Sequence, residues 1–293
     1  TKCLKSGWLT TGKVCEKFES EFSNFLQSKK DSIAVNSATA GLHLALKAIG
    51  INAGDEVITT VHTFTATAEV IVYLGAKPVF VDINLKDLCI DADLVEKAIT
   101  HKTKAIIPVH FAGHAAELDK IYSIAEKFNL YVIEDAAHAL PCSYRNKLIG
   151  TSSKSSAVFS FYANKTMTTG EGGMVVSNNI DVTKEIKIYR THGINKDAFS
   201  RYTSKKPSWY YEIIAPGYKY NLTDIAASIG RVQLKKLLEM HKKREEIAYE
   251  YDNAFEKMPL ILPPRLKGDI HSWHLYIVRL KGNLIIKRDD IIQ

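Results

Sequence analysis

Lys165 stands in the stretch FSFYANKTMTTGEGG, directly after an apolar run and among small and hydroxyl-bearing residues. A lysine in such a place can bond an aldehyde covalently if partial burial lowers its pKa and its chain stays free to swing. Gly170, Gly172 and Gly173 follow at once and allow close backbone approach. A second candidate is Asp135, near the end of the apolar run in LYVIEDAAHAL. A carboxylate at the end of a buried strand is unfavourable unless something cationic meets it, and a protonated pyridine nitrogen would do so. The third is NSATAG, residues 36–41, where a strand gives way to a helix through small residues. Amides at a helix N-terminus, with the dipole behind them, bind phosphate. Each feature has a plainer reading when taken alone: a surface lysine on a Gly-rich hairpin, an Asp capping the next helix, a helix cap by Ser37 or Thr39. Together, in this chain order, they converge on pyridoxal phosphate, with Asp135 keeping the ring an electron sink.

The elements that must position these residues alternate helical periods with short β-rich runs, which defines an α/β fold. Residues 14–26 are amphipathic, 32–35 form a short strand, and 39–49 a helix ending at Gly50. GDEVITT places a strand at 56–60, and FTATAEVIVYLGA suits a helix. KPVFVDI, KAIIPVH and LYVIEDA are further apolar runs, separated by helical stretches at 91–99 and 116–128. Their Val and Ile content without strict alternation suits parallel strands covered on both faces. SAVFSFY and GGMVVSN lie too close together for a helical crossover, so these two strands are expected to be antiparallel neighbours. Strand alternation puts Ser160 and Tyr162 on one face and Phe159 and Phe161 on the other. A long helical pattern over 223–257 ends at the prolines of PLILPPR. The expected organisation is a large domain over 1–235, then an interdomain helix and the start of a smaller C-terminal domain over 236–293. In that last part SWHLYIVRL reads as a strand and IIKRDDIIQ as the beginning of a helix.

Hydrophobic types make up 46% of the 293 residues and charged types 24%, ordinary values for a soluble globular enzyme. No apolar run approaches the length of a bilayer span, and the start has no signal-peptide pattern. Cys3, Cys15, Cys89 and Cys142 are scattered, which argues against a disulfide framework and a zinc site and points to a reducing cytoplasm. The net charge of +7 could attract a phosphorylated substrate. The densest basic run, at 235–244, carries glutamates as well and reads as a solvated helix face rather than a nucleic-acid surface. No GxGxxG follows the first strand and no GxxxxGK[ST] occurs, which ranks a Rossmann or P-loop nucleotide enzyme last.

The phosphate turn, the Asp at a strand end and the lysine motif, in that order, resemble the DegT/DnrJ-type nucleotide-sugar aminotransferases. SGWLTTG at 6–12, PVHFAGHAAELD, GYKYNLTDIAASIGRVQL and WHLY at 273–276 extend the likeness over nearly the whole chain. The third of these looks most like enzymes aminating carbon 4 of UDP-linked sugars, the UDP-4-amino-4-deoxy-L-arabinose branch above all. The resemblance implies the type I fold of the pyridoxal-phosphate transferases: a large, mixed, mostly parallel sheet flanked by helices, with a smaller C-terminal domain, here cut short because relatives run longer at both ends. It implies amino transfer from an amino acid, L-glutamate, to a nucleotide-linked keto-sugar in cell-surface polysaccharide or lipopolysaccharide assembly.

By the same resemblance, Lys165 carries the cofactor and shuttles the proton, and Asp135 pairs with the pyridine nitrogen. His138, taken to lie one helical turn beyond Asp135, would sit near the phenolic oxygen, and Phe64 would stack on the ring. The Ala38 and Thr39 amides and the Ser160 hydroxyl would hold the phosphate. Ala38 stands where many relatives have Gly, which leaves the amide in place. Asn221 would reach the phosphate of a neighbouring subunit, so a homodimer is implied. Phe64 and His138 also admit simple packing roles. Dehydratase relatives replace the lysine by histidine, so Lys165 disfavours that branch. A non-catalytic sensory or scaffold protein of the same fold is the competing reading. His110, His192 and His274 occupy positions where relatives could touch substrate, with no role assigned to any.

Overall fold

The strands read as unbroken apolar runs because both faces of the sheet they form are covered. Ile33 and Val35 pack on one side while Ala34 between them packs on the other, and the same split recurs at Val57 and Ile58 and at Ile106 and Ile107. The computed structural model describes residues 2–28, 31–195, 210–265, 268–282 and 288–292. Its centre is a seven-stranded sheet. The strands are β1 (Asp31–Val35), β2 (Glu56–Thr60), β3 (Lys77–Val81), β4 (Thr103–Ile107), β5 (Tyr131–Asp135), β6 (Ser156–Ser160) and β7 (Gly173–Ser177). Their order across the sheet is β1-β7-β6-β5-β4-β2-β3. From β6 to β3 all neighbours are parallel. β7 runs antiparallel to both β6 and β1, as the short connection after Ser160 demands.

One layer of helices holds α1 (Lys13–Phe25), α4 (Ala92–Ala98), α5 (Leu118–Phe128) and α7 (Asp224–Phe255). They bury Phe18, Phe22, Val95, Ile121 and Leu237 against Ile58, Phe159 and Phe161. The other layer holds α2 (Ala38–Ala48), α3 (Ala66–Tyr73) and α6 (Ile180–Tyr189), with Leu42, Leu44, Val70, Ile71 and Ile186 on Val158 and Val175. Each such side chain contributes about 1.5–3 kcal/mol on burial.

The helix ends follow from local chemistry. Ser37 caps α2 by accepting from the Ala40 amide over 3.0 Å, and Thr223 caps α7 at the Ala226 amide over 3.2 Å. α1 has only Gly12 before it, and its cap comes from far away. The buried Asp224 carboxylate accepts from the Gly12 and Cys15 amides at 2.8 and 2.9 Å, tying α7 to α1. Asn129 closes α5 in the left-handed conformation, at φ 55°. On the exposed face of α7, Lys242 and Lys243 pair with Glu246 and Glu239 one turn away, so this basic run is a solvated, charge-balanced surface. Among the described residues, no helix is long and apolar enough to cross a membrane.

Two local expectations need correcting. SWHLYIVRL is not one strand: only Arg279–Leu280 pairs, with Leu260–Ile261, while residues 272–278 run as an irregular strap over the sheet's end. The strap's apolar residues are held by side-chain packing and loop hydrogen bonds rather than by a ladder. The segment after Asp135 is a series of turns rather than a helix, because Pro141 disfavours helix at Leu140 and supplies no amide. At the end, Arg288–Ile292 is helical, and the other residues of IIKRDDIIQ lie outside those described.

Candidate active site

The carboxyl ends of β5 and β6, the start of α2 and the loop after β6 meet at one end of the central strands, where open α/β folds form ligand crevices. Alternation decides what each residue of β5 faces. Ile133 points into the α2–α3 layer, so Asp135 does too, whereas Glu134 points with Val132 into the opposite core. Asp135 is only 5% exposed. Its Oδ2 accepts from the Thr67 hydroxyl over 2.7 Å and its Oδ1 from the Ala137 amide over 3.1 Å. Burial nevertheless holds its carboxyl above the usual carboxylate range, against the pull of those donors and the charge of Lys165.

Lys165 is held by a tightly stitched loop. Its amide donates to Tyr162 O over 3.0 Å, and Thr169 N and Thr168 Oγ1 both donate to Phe161 O. Burial lowers its ammonium pKa, and the charge of Asp135 only partly offsets this. Its Nζ lies 3.5 Å from His274 Nε2. The His138 ring packs against His274 with centroids 4.3 Å apart at a tilt of 41°, and His138 takes the Ala112 amide at Nδ1 over 3.3 Å. That acceptor role leaves the neutral ring's proton on Nε2. Burial, with the Lys165 charge, drives His138 down to about 3 and His274 down to about 4, so both are neutral at ordinary pH.

The phosphate-binding candidates also converge. Ser160 is paired with Gly173 across β6 and β7. A Cβ on Gly173 would lie 2.7 Å from Ser37 C and 2.8 Å from Ala38 N, so only glycine lets β7 approach the start of α2 this closely. Ser160 is thereby brought alongside the first turn of α2, whose Ala38 and Thr39 amides precede the amide that Ser37 caps. Phe159 and Phe161 are fully buried and Ser160 is not, as alternation requires. Phe64 is 75% exposed at the start of α3, which removes the plain core reading for it. Asn221 is buried, bridged through its backbone to Val35, and donates from Nδ2 to Thr11 Oγ1 over 2.6 Å in its own chain.

Thr67 and Glu134 entered only with the structure, whereas the sequence already singles out His110. Thr67, at Asp135, lies in HTFTATA, where nothing in spacing distinguishes it from its neighbours. His110 is fully buried on the far side of β5, so it cannot meet a substrate. Its Nδ1 accepts from Ala116 N over 3.1 Å and its Nε2 lies 2.9 Å from Glu134 Oε2. Burial opposes the charge on Glu134. Hydrogen bonds from His110, Ser155 and Tyr122 outweigh it and hold the carboxyl below its usual range.

A buried carboxylate whose charge burial disfavours, an amine of lowered pKa near it, and a helix N-terminus pressed against a hydroxyl-bearing strand end are what a phosphorylated pyridine aldehyde requires. The residues present therefore fit pyridoxal phosphate. The chain belongs to the DegT/DnrJ/EryC1/StrS aminotransferase family, whose model matches residues 1–293. It is a pyridoxal-phosphate-dependent aminotransferase of the type I fold. It is similar to an uncharacterised protein of Methanocaldococcus jannaschii, 54% identical over 96% of this chain and 73% of that one. It is also similar to the spore coat polysaccharide biosynthesis protein SpsC of Bacillus subtilis, 46% identical over 96% and 72%. Among solved structures, Spr1654 of Streptococcus pneumoniae in its PMP form matches with a TM-score of 0.91 and 36% identity, over 100% of this chain and 78% of that one. Spr1654 has been solved in a PLP form as well.

Proposed function

We propose that this aminotransferase moves the amino group of L-glutamate to carbon 4 of a UDP-linked keto-sugar, in the cytoplasm, as a step in building a cell-surface polysaccharide. The observation that carries the reading is Lys165, a desolvated amine within the field of Asp135 and beside two neutral imidazoles. The segment GYKYNLTDIAASIGRVQL supports the UDP-sugar substrate, and SpsC supports a polysaccharide product.

In this reading Lys165 would hold pyridoxal phosphate through its amine, and its Nζ would be the group that takes and gives the proton at the substrate carbon. Pyridoxal phosphate, when bound, supplies an electron sink for the carbanion that proton removal leaves. Asp135 meets the pyridinium charge, a partner its burial otherwise denies it. His138 donates its Nε2 proton toward the phenolic oxygen, and Phe64 covers the ring. The Ala38 and Thr39 amides and the Ser160 hydroxyl hold the phosphate. Asn221 has a second Nδ2 hydrogen beyond the one on Thr11, and it serves the phosphate of a second copy of the chain, so that a homodimer shares its sites.

The test is the visible absorption of the protein mixed with pyridoxal phosphate, beside Lys165→Ala, before and after L-glutamate and then a UDP-linked 4-keto-sugar. The parent alone is expected to show a lysine-bound band that glutamate bleaches and the keto-sugar restores. A parent spectrum identical to that of Lys165→Ala would remove the reading. Bleaching by glutamate with no recovery would retain the lysine chemistry and remove the sugar.

A further inference from the structure

His274 reaches Lys165 from 109 residues away in the chain, and the segment that carries it is anchored on every side. Ser272 N donates to Gly113 O over 3.0 Å and Leu275 N to Ala112 O over 3.2 Å, so the residues flanking His274 are pinned to the turn at 111–113. The fully buried Ser272 hydroxyl donates to His138 O. Gly113, at φ +103°, has no room for a Cβ, which would meet Ser272 Oγ at 1.9 Å. On the other side the His271 ring stacks on Trp273 at 4.0 Å, and His271 O lies 2.9 Å from His241 Nε2 of α7. The strap thus fixes a single imidazole between His138 and the lysine amine.

The groups that face this pair from the packed elements are few. Asp135 on β5 favours the Lys165 ammonium, and burial opposes it. Burial together with the charges of Lys165 and Arg244 keeps His274 neutral, and His138 is neutral as well. A neutral imidazole beside an ammonium accepts a hydrogen bond from it, so the proton of His274 sits on Nδ1 while Nε2 receives Nζ–H.

We propose that His274 is a positioning residue for Lys165: its Nε2 accepts from the released Nζ and holds the amine, and the ammonium it becomes, at the place where it exchanges a proton with the substrate carbon. The proton balance is simple. The carbon loses a proton to the Nζ lone pair, the resulting ammonium keeps one hydrogen on His274 Nε2, and His274 itself neither gains nor loses a proton. Without this acceptor a half-buried ammonium would have Asp135 as its one compensating charge, and Asp135 is by then engaged at the ring nitrogen. This inference rests on Lys165 being the cofactor lysine.

The experiment compares the full chain with His274→Phe, His274→Asn and His274→Gln. Gln can reach Nζ with a carbonyl oxygen, whereas Asn is polar but too short. In the cofactor-free proteins, the pH dependence of Lys165 acetylation by acetic anhydride, read by mass spectrometry against exposed lysines, gives the proton affinity of Nζ. Loss of the acceptor is expected to lower the midpoint by about one pH unit, a tenfold change, in both the Phe and Asn variants. The Gln variant should return to the parent value. The glutamate half-reaction should slow about tenfold in the Phe and Asn variants with KM little changed. An unchanged Lys165 midpoint in the Asn and Phe variants, or a Gln variant that behaves like Asn, would overturn the proposal. Borohydride reduction of the parent with pyridoxal phosphate is the separate control: absence of label on Lys165 there overturns the lysine assignment itself.

Discussion

The Thr67 hydroxyl donates to Asp135 Oδ2 over 2.7 Å, joining the first turn of α3 to the end of β5 across 68 residues of sequence. Thr67 is fully buried and also shares a 2.7 Å contact with the Thr63 hydroxyl. Thr67→Val keeps the shape and removes the donor. It should destabilise the cofactor-free protein by about 1–3 kcal/mol, the cost of leaving a buried acceptor short of a partner. Urea unfolding of Thr67→Val beside Thr67→Ser, which retains the hydroxyl, checks this.

Asp135→Asn separates folding from function. Burial raises the folded-state pKa of Asp135, so the folded cofactor-free chain binds that proton more tightly than the unfolded chain. The corresponding stability is fully present below the unfolded pKa and is lost as pH rises through the folded one. At neutral pH, Asp135→Asn without cofactor should therefore be at least as stable as the parent, and the pH slope that Asp135 contributes should vanish. Its affinity for pyridoxal phosphate should fall about 10- to 100-fold, the loss of a charge-assisted hydrogen bond. Thermal unfolding across pH 4–8 and a cofactor titration measure the two halves. A variant that binds the cofactor like the parent would remove Asp135 from the ring nitrogen.

Gly173→Ala tests the phosphate end. The added methyl group meets backbone atoms of Ser37 and Ala38 rather than the end of a flexible side chain, so β7 or the start of α2 must move. Overpacking of this kind costs about 1–3 kcal/mol, and the displaced amides should weaken cofactor binding about tenfold. Inorganic phosphate should protect the parent against urea more than it protects the variant. Equal protection would place the phosphate elsewhere.

Much of this molecule is written in local pattern. The seven strands and the helices between them follow from runs of Val and Ile, from Ser37 and Thr223 at helix starts, and from the short spacing that forces β6 and β7 to be antiparallel. Asp135 stands out because a carboxylate ending an apolar run is costly without a partner, and Lys165 because its glycine-rich motif follows the phosphate turn and that carboxylate in chain order. The turns after Asp135 and the strap at 272–278 were less legible. A single Pro outweighs helical composition in the first, and in the second the alternation of apolar residues reflects packing against a turn 160 residues earlier rather than pairing in a sheet.

The sequence by itself determined the fold class, the order of the strands along the chain, and the candidate lysine, carboxylate and phosphate turn, because these depend on residue type and short-range spacing. Only the tertiary structure decided which groups face them. Thr67 on Asp135, His274 on Lys165, Gly173 against Ser37, and His110 turned away onto Glu134 are contacts between segments dozens of residues apart or on opposite faces of one strand. Periodicity reports that a side chain is buried; which atom it meets there depends on how the sheet orders its strands and where the loops cross its edge.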